Sequence, residues 1–104
     1  MIVEYIRYTI PAAESAQFEQ NYALAGKSLE ASLHCLGYEL SRCEEAPDSY
    51  ILRIEWDSVE GHMQGFRSSN AFRSFFAAIK PYISRIEEMR HYRVTGVKHA
   101  NTST

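Results

Sequence analysis

The chain has 104 residues, a length that fits one domain, and its 45% hydrophobic and 23% charged content is ordinary for a soluble globular protein. A net charge of -2 and a pI near 6.1 argue against nucleic acid as the main partner, since no basic excess exists to release phosphate counterions. No apolar run approaches the roughly 20 residues needed to span a bilayer, and MIVEYIRYTI lacks a signal-peptide core, so a cytoplasmic protein without a membrane partner is expected.

Residues 2–10, IVEYIRYTI, read as a strand rich in β-branched and aromatic side chains and ended by Pro11. A helix over residues 13–30 follows, because Phe18, Tyr22, Ala25 and Leu29 recur at helical spacing and draw one apolar stripe. Residues 35–43, CLGYELSRC, form a second strand, EEAPDS is a turn, and residues 49–56, SYILRIEW, form a third strand that can pair with the second. Asp57 or Ser58 caps a second helical region, with Asp57 and Glu60 at capping-box spacing. FRSSNAF interrupts or bends it before Phe72, Phe75, Phe76 and Ile79 resume an apolar face, and Pro81 stops it. The last strand covers residues 87–95, EEMRHYRVT. One domain over 1–95 and a flexible polar tail over 96–104 are expected.

The order β-α-β-β-α-β is that of a ferredoxin-like α+β fold with a four-stranded antiparallel sheet. Alternation along the strands sends Ile6, Tyr8, Ile10, Leu36, Tyr38, Leu40, Leu52, Ile54 and Trp56 toward the helices. The opposite face collects Val3, Tyr5, Arg7, Glu39, Ile51, Arg53 and Glu55, with His91 and Arg93 from the last strand. This mixture of apolar and charged groups suits either a solvated face or one pressed against a second copy of the chain.

Cys35 and Cys43 flank one strand and stand roughly 26 Å apart at about 3.3 Å per residue, too far for a disulfide. Their neighbours do not suggest a metal site, and both are expected as free thiols. No glycine-rich phosphate loop, paired metal-ligand motif or serine elbow is present, so any chemistry is expected to run without a cofactor or metal.

The stretch EWDSVEGHMQGF holds the main candidate residues. His62 lies three residues after Val59 and four before Phe66, on one helix face that should look toward the sheet near Trp56. Such a histidine is either a hydrogen-bonded packing residue or a group for proton transfer near neutral pH. Trp56 is either a core residue closing a strand or the wall and N–H donor of a ligand pocket. Tyr8, Tyr22 and Tyr38 either line the same cavity or fill space. Arg67 is either a solvated helix-end arginine or a contact for an anionic substrate group. His34 reads as a loop residue.

The element order, the Trp closing strand three, the W-x-S-x-E opening of the second helix and the later RSSNAFRSFF together resemble the antibiotic biosynthesis monooxygenase family over residues 1–95. That resemblance implies a dimeric α+β barrel, in which two ferredoxin-like sheets pack face to face, and so a homodimer that buries the mixed-charge face. It also implies oxidation of a small aromatic phenol or quinol by molecular oxygen, with no metal or flavin. Trp56 matches a tryptophan that lies near substrate in quinone-forming members, and His62 stands where those members have a pocket tyrosine. The chain departs from the prototype at Leu52, where an asparagine is expected, and near Phe76, where an arginine is expected. Ile6 and FRSFFAAI replace the polar groups of haem-degrading relatives. The resemblance implies His62 and Trp56 as catalytic residues and Tyr38, Tyr22, Tyr8, Phe66 and Arg67 as substrate contacts. The alternative is a non-catalytic dimeric domain that binds a small ligand; isomerisation or cyclisation with an acid–base histidine is a further enzymatic option.

Overall fold

The structure, a computed structural model, describes residues 1–101. Its elements are β1 (Ile2–Thr9), α1 (Ala12–Glu30), β2 (Cys35–Arg42), β3 (Ser49–Trp56), α2 (Asn70–Ile79) and β4 (Ile86–Arg93). A π-helical turn, Gly61–Phe66, precedes α2, and a 3-10 turn, Lys80–Arg85, follows it. The strands form one antiparallel sheet in the order β2-β3-β1-β4, with both helices on one face, which is the ferredoxin-like α+β arrangement.

The apolar stripe of α1 explains its docking: Phe18, Tyr22, Ala25 and Leu29 are all buried against the sheet. The expected break in the second helical region is real. Ser58 is the cap, its hydroxyl accepting a hydrogen bond from the Gly61 N–H at 2.8 Å. Asp57 turns instead to His34, at 2.8 Å from the imidazole Nδ1. A Cβ at Gly61 or Gly65 would run into Asp57 or His34, so the two glycines let the π turn lie directly on that pair. A new cap then starts α2, where Ser69 Oγ accepts from the Phe72 N–H at 3.2 Å. Val59 does not share the buried face of His62 and Phe66; it is exposed, because the π turn does not keep α-helical spacing.

The core contains two aromatic groups, one toward each end of the strands. At the Tyr8 and Tyr50 end, Phe18 meets the rings of Tyr8, Tyr22, Tyr50 and Tyr82 at centroid distances of 5.0, 5.2, 4.9 and 5.0 Å. At the Ile2 and Trp56 end, Trp56 packs on His62 and Phe66, and Phe66 in turn on Phe72 and Phe75.

Three strand residues, Leu36, His91 and Arg93, face otherwise than simple alternation predicts, each because a ladder shifts register. Between Cys35 and Gly37 the β2–β3 register shifts, so Cys35 opposes Trp56 and packs on the core while Leu36 is 58% exposed. Between β1 and β4 a second shift leaves Glu87 without an opposite number, as Arg7 pairs with Glu88 and Tyr8 with Ile86. Beyond that shift Ile6 pairs with Met89, Glu4 with His91 and Ile2 with Arg93. His91 and Arg93 are therefore on the strand positions of the helix-covered side rather than the mixed-charge face.

The opposite face carries Val3, Tyr5, Arg7, Ile51, Arg53, Glu55, Glu88 and Tyr92. Its charges pair within the chain, Arg53 with Glu55 at 2.7 Å and Arg7 with Glu88 at 3.8 Å. Cys35 and Cys43 are free and half-buried. After Arg93 the described residues add no further strand; of the expected tail over 96–104, residues 102–104 lie outside the described residues. Among the described residues no helix is long and apolar enough to cross a membrane.

Candidate active site

Under α2 lies a cavity of about 140 Å³, walled by Ile6, Ile54, Trp56, Phe66, Phe72 and Phe75. Phe76 and Ile83, 39% and 38% exposed, also line it and mark its outer rim. Glu4, His62 and Arg67 give the cavity its polar groups. The Arg67 guanidinium lies 5.4 Å over the Phe72 ring.

Three elements converge there. From β1 comes Glu4, 2% exposed, and from the π turn comes His62, 4% exposed; they are the buried polar or charged residues of the described chain. From β4 comes half-buried His91, opposite Glu4. Trp56 Nε1–H donates to Glu4 Oε1 at 3.1 Å, and the Trp56 indole stacks on the His62 ring at 4.3 Å and 15°. His62 Nδ1 lies 2.7 Å from His91 Nε2, and His62 Nε2 lies 3.6 Å from Glu4 Oε1. One of the two imidazole nitrogens must carry the proton that joins the histidines, so the tautomers of His62 and His91 are linked.

Burial governs the protonation of this group. Desolvation pushes the Glu4 carboxyl up to about 7, against the opposing pull of the Trp56 N–H and the Arg67 charge. Desolvation, then the His91 and Arg67 charges, pushes His62 down to about 4, and His91 is lowered by the same burial and by Arg67. The His62 ring is thus neutral at neutral pH, and its approach to Glu4 is not an ion pair despite the short distance.

His62, Trp56, Phe66 and Arg67 therefore share one cavity, while Tyr8, Tyr22 and Tyr38 stand elsewhere. Tyr8 is buried beside Phe18, with its hydroxyl joined to that of Tyr22. Tyr22 and Tyr38 border a separate, more open groove of about 290 Å³ beside Tyr50 and Arg42, where Tyr38 O–H donates to Glu30 at 2.5 Å. Leu52 lines that groove and not the cavity, whereas Phe76 is in the cavity wall. The Trp56 N–H is already committed to Glu4, which makes the indole a wall and a tether of the carboxyl.

Two members of the cluster escaped the strand reading. Glu4 has the parity of Ile2, Ile6 and Tyr8, so a carboxylate among inward-facing positions is a signal the sequence does contain. His91 carries no such signal, because the register shift at Glu87 reverses its side.

The comparisons with known proteins agree with this architecture. A protein from Bordetella bronchiseptica assigned to the antibiotic biosynthesis monooxygenases is 27% identical, with a TM-score of 0.75 over 90% of this chain and 96% of its own. A variant of SnoaB, a cofactor-independent oxygenase from Streptomyces nogalater, shares the fold at a TM-score of 0.71 and 15% identity, with 94% of each chain covered. The uncharacterised Bacillus subtilis protein YczJ is 24% identical over 93 residues, covering 89% of this chain and 98% of that protein. Residues 1–78 match the family model of antibiotic biosynthesis monooxygenase, and the chain, monooxygenase-like in fold and sequence, belongs to that family.

Proposed function

We propose that the chain oxidises a small, single-ring phenol or quinol with molecular oxygen, without a flavin, and that the substrate binds in the cavity under α2. The observation that carries this reading is an aromatic-walled cavity with its polar groups gathered at Glu4, His62 and Arg67. Its size favours one ring, since an apolar cavity of about 150 Å³ holds benzene. A fused polycyclic substrate would need α2 to move away from the sheet.

In this reading the substrate ring packs among Trp56, Phe66 and Phe72, and its hydroxyl faces His62. Loss of the O–H proton to the Glu4–His62 pair gives an electron-rich anion, which Arg67 stabilises through its charge. The anion supplies the electrons that reduce O2. With a phenol, one oxygen atom becomes the second carbonyl of a quinone and the other leaves as water with the hydroxyl hydrogen and the displaced ring hydrogen. With a quinol, one oxygen atom becomes the hydroxyl of a hydroxyquinone and the other leaves as water with the two hydroxyl hydrogens. His62 acts with Glu4 on the proton, Trp56 walls the ring and holds the Glu4 carboxyl, and Phe66 and Arg67 bind substrate. Tyr8, Tyr22 and Tyr38 act on the packing of α1, at a distance from the ring.

Oxygen consumption with a panel of single-ring quinols and phenols tests the reading. Turnover by the wild-type chain, reduced at least about 100-fold in His62→Ala, is the expected result, matching the usual scale of general acid–base catalysis. Binding of the same compounds with no oxygen uptake across the panel would replace the reading with that of a ligand-binding domain.

The outer sheet face fits a second copy of the chain. Tyr5, Ile51 and Tyr92 supply its apolar patches, and the Arg53–Glu55 and Arg7–Glu88 pairs enter an interface already matched, which offsets part of their desolvation. Light scattering at micromolar concentration should give twice the 11.9 kDa chain mass; a monomer would remove the barrel.

A further inference from the structure

We propose that Glu4, His62 and His91 form a binding site for one first-row divalent transition-metal ion. Each offers one donor atom, and these atoms all lie within 4.8 Å of one another. Ligands held about 2.1 Å from a metal are about 3.0 Å apart at right angles and about 4.2 Å apart across it. His62 stands 2.7 Å from His91 Nε2 through its Nδ1 and 3.6 Å from Glu4 Oε1 through its Nε2; one ion takes one of these two nitrogens, and with one donor atom from each residue every separation is within 4.8 Å. Closing the cluster on an ion takes movements of under about 1 Å, within the reach of side-chain rotation.

The donor set decides the class of ion. Two imidazoles and one carboxylate suit Zn²⁺, Fe²⁺ and Co²⁺ better than Mg²⁺ or Ca²⁺, which prefer all-oxygen shells. Three protein ligands leave coordination positions open, and two of the three, Glu4 and His62, also line the cavity. The two-histidine, one-carboxylate set is the one that serves oxygen chemistry in non-haem iron enzymes.

The surroundings are those of an organised site. A buried carboxylate is costly, and Glu4 has only the neutral Trp56 N–H as a hydrogen-bonded partner. A dication between Glu4 and the two imidazoles would offset that cost directly. The Trp56 N–H fixes the carboxylate, and the stacked indole fixes the His62 ring, as outer partners do around metal ligands. The three ligands come from β1, the π turn and β4, so no sequence spacing would reveal them. Arg67 lies close enough to repel the ion, which favours an anionic ligand in the cavity when the metal is bound.

A bound ion takes the lone pairs that would otherwise accept a proton from substrate. Metal uptake is nevertheless independent of which ring the cavity holds, and it is read without substrate. The test is titration of the chelator-treated protein with Co²⁺, following visible absorption, with Zn²⁺ calorimetry for stoichiometry. The expected result is one ion per chain and Co²⁺ bands of a low-coordinate nitrogen and oxygen site. Outer-sphere changes cost roughly 10–100-fold in affinity, so loss of a ligand in His91→Ala should cost more than about 100-fold. His91 is half-buried on an edge strand, which makes this variant the best suited to remain folded; circular dichroism verifies it, and Glu4→Gln provides the second ligand test. His99→Ala, at an exposed histidine beyond β4 and outside the cluster, should leave binding unchanged. Absence of Co²⁺ bands, or uptake equal in wild type and His91→Ala, would overturn the site. Metal uptake with no quinol oxidation would leave the site intact and remove only the substrate reading.

Discussion

Replacing Trp56 by alanine should lower the free energy of unfolding by about 3–5 kcal/mol, the usual cost of emptying a fully buried large aromatic position. Trp56 is 0% exposed, and its loss strips three neighbours at once: His62 of its stacked ring, Phe66 of its packing partner and Glu4 of its hydrogen-bond donor. Whole-domain stabilities run to about 5–15 kcal/mol, so the variant should be marginal at 37 °C. Trp56→Phe separates the effects. It keeps an apolar ring but leaves the carboxyl without its donor, which should cost about 1–3 kcal/mol. Urea denaturation of the two variants checks both values. A loss below about 1 kcal/mol for Trp56→Ala would mean that the cavity end adds little to the stability of the fold.

The second large effect belongs to Phe18. Its ring touches four others, those of Tyr8, Tyr22, Tyr50 and Tyr82, and it is fully buried. Phe18→Ala should also cost about 3–5 kcal/mol, a fall in melting temperature of about 12 °C or more for a domain of this size. The two substitutions should differ in what they do to ligand binding. Phe18 is absent from the cavity wall, so a folded Phe18→Ala protein should keep its affinity for a single-ring aromatic, whereas Trp56→Ala should lose it. Calorimetric binding at low temperature, where both variants are folded, distinguishes them. Equal loss in both would mean that the two aromatic groups behave as one unit.

The fold was legible because its signals are local and repeated. The stripe from Phe18 to Leu29, the Pro11 and Pro81 stops and the alternation in SYILRIEW each specify an element within a residue or two of its place. The break before α2 was visible in FRSSNAF, but the π turn was not, since it follows from contact with His34 and Asp57 rather than from composition. The neighbourhood of His62 and Trp56 followed from their positions beside one strand end. The tyrosines did not join them, because Tyr8 and Tyr38 lie at other positions along the inner face and contact α1 instead. Glu4 was readable by parity alone. His91 was not, because alternation assumes an unbroken ladder, and the ladder of β1 and β4 is broken.

That break has an evolutionary consequence. Glu87 is exposed, so one codon here carries no burden of packing. Deleting it would let the two strands zip without interruption and, because Arg7 already opposes Glu88 and Glu4 already opposes His91, would leave His91 on the same side of the sheet. The third arm of the Glu4–His62–His91 cluster is thus held by its pairing with β1 and not by its spacing from Ile86, and it survives the loss of this one residue with no substitution at any of the three positions. A relative whose strand lacks the extra residue would present a histidine beside the Glu4 position four residues after its Ile86 counterpart instead of five, so the length of this strand is as informative as the identity of the residue.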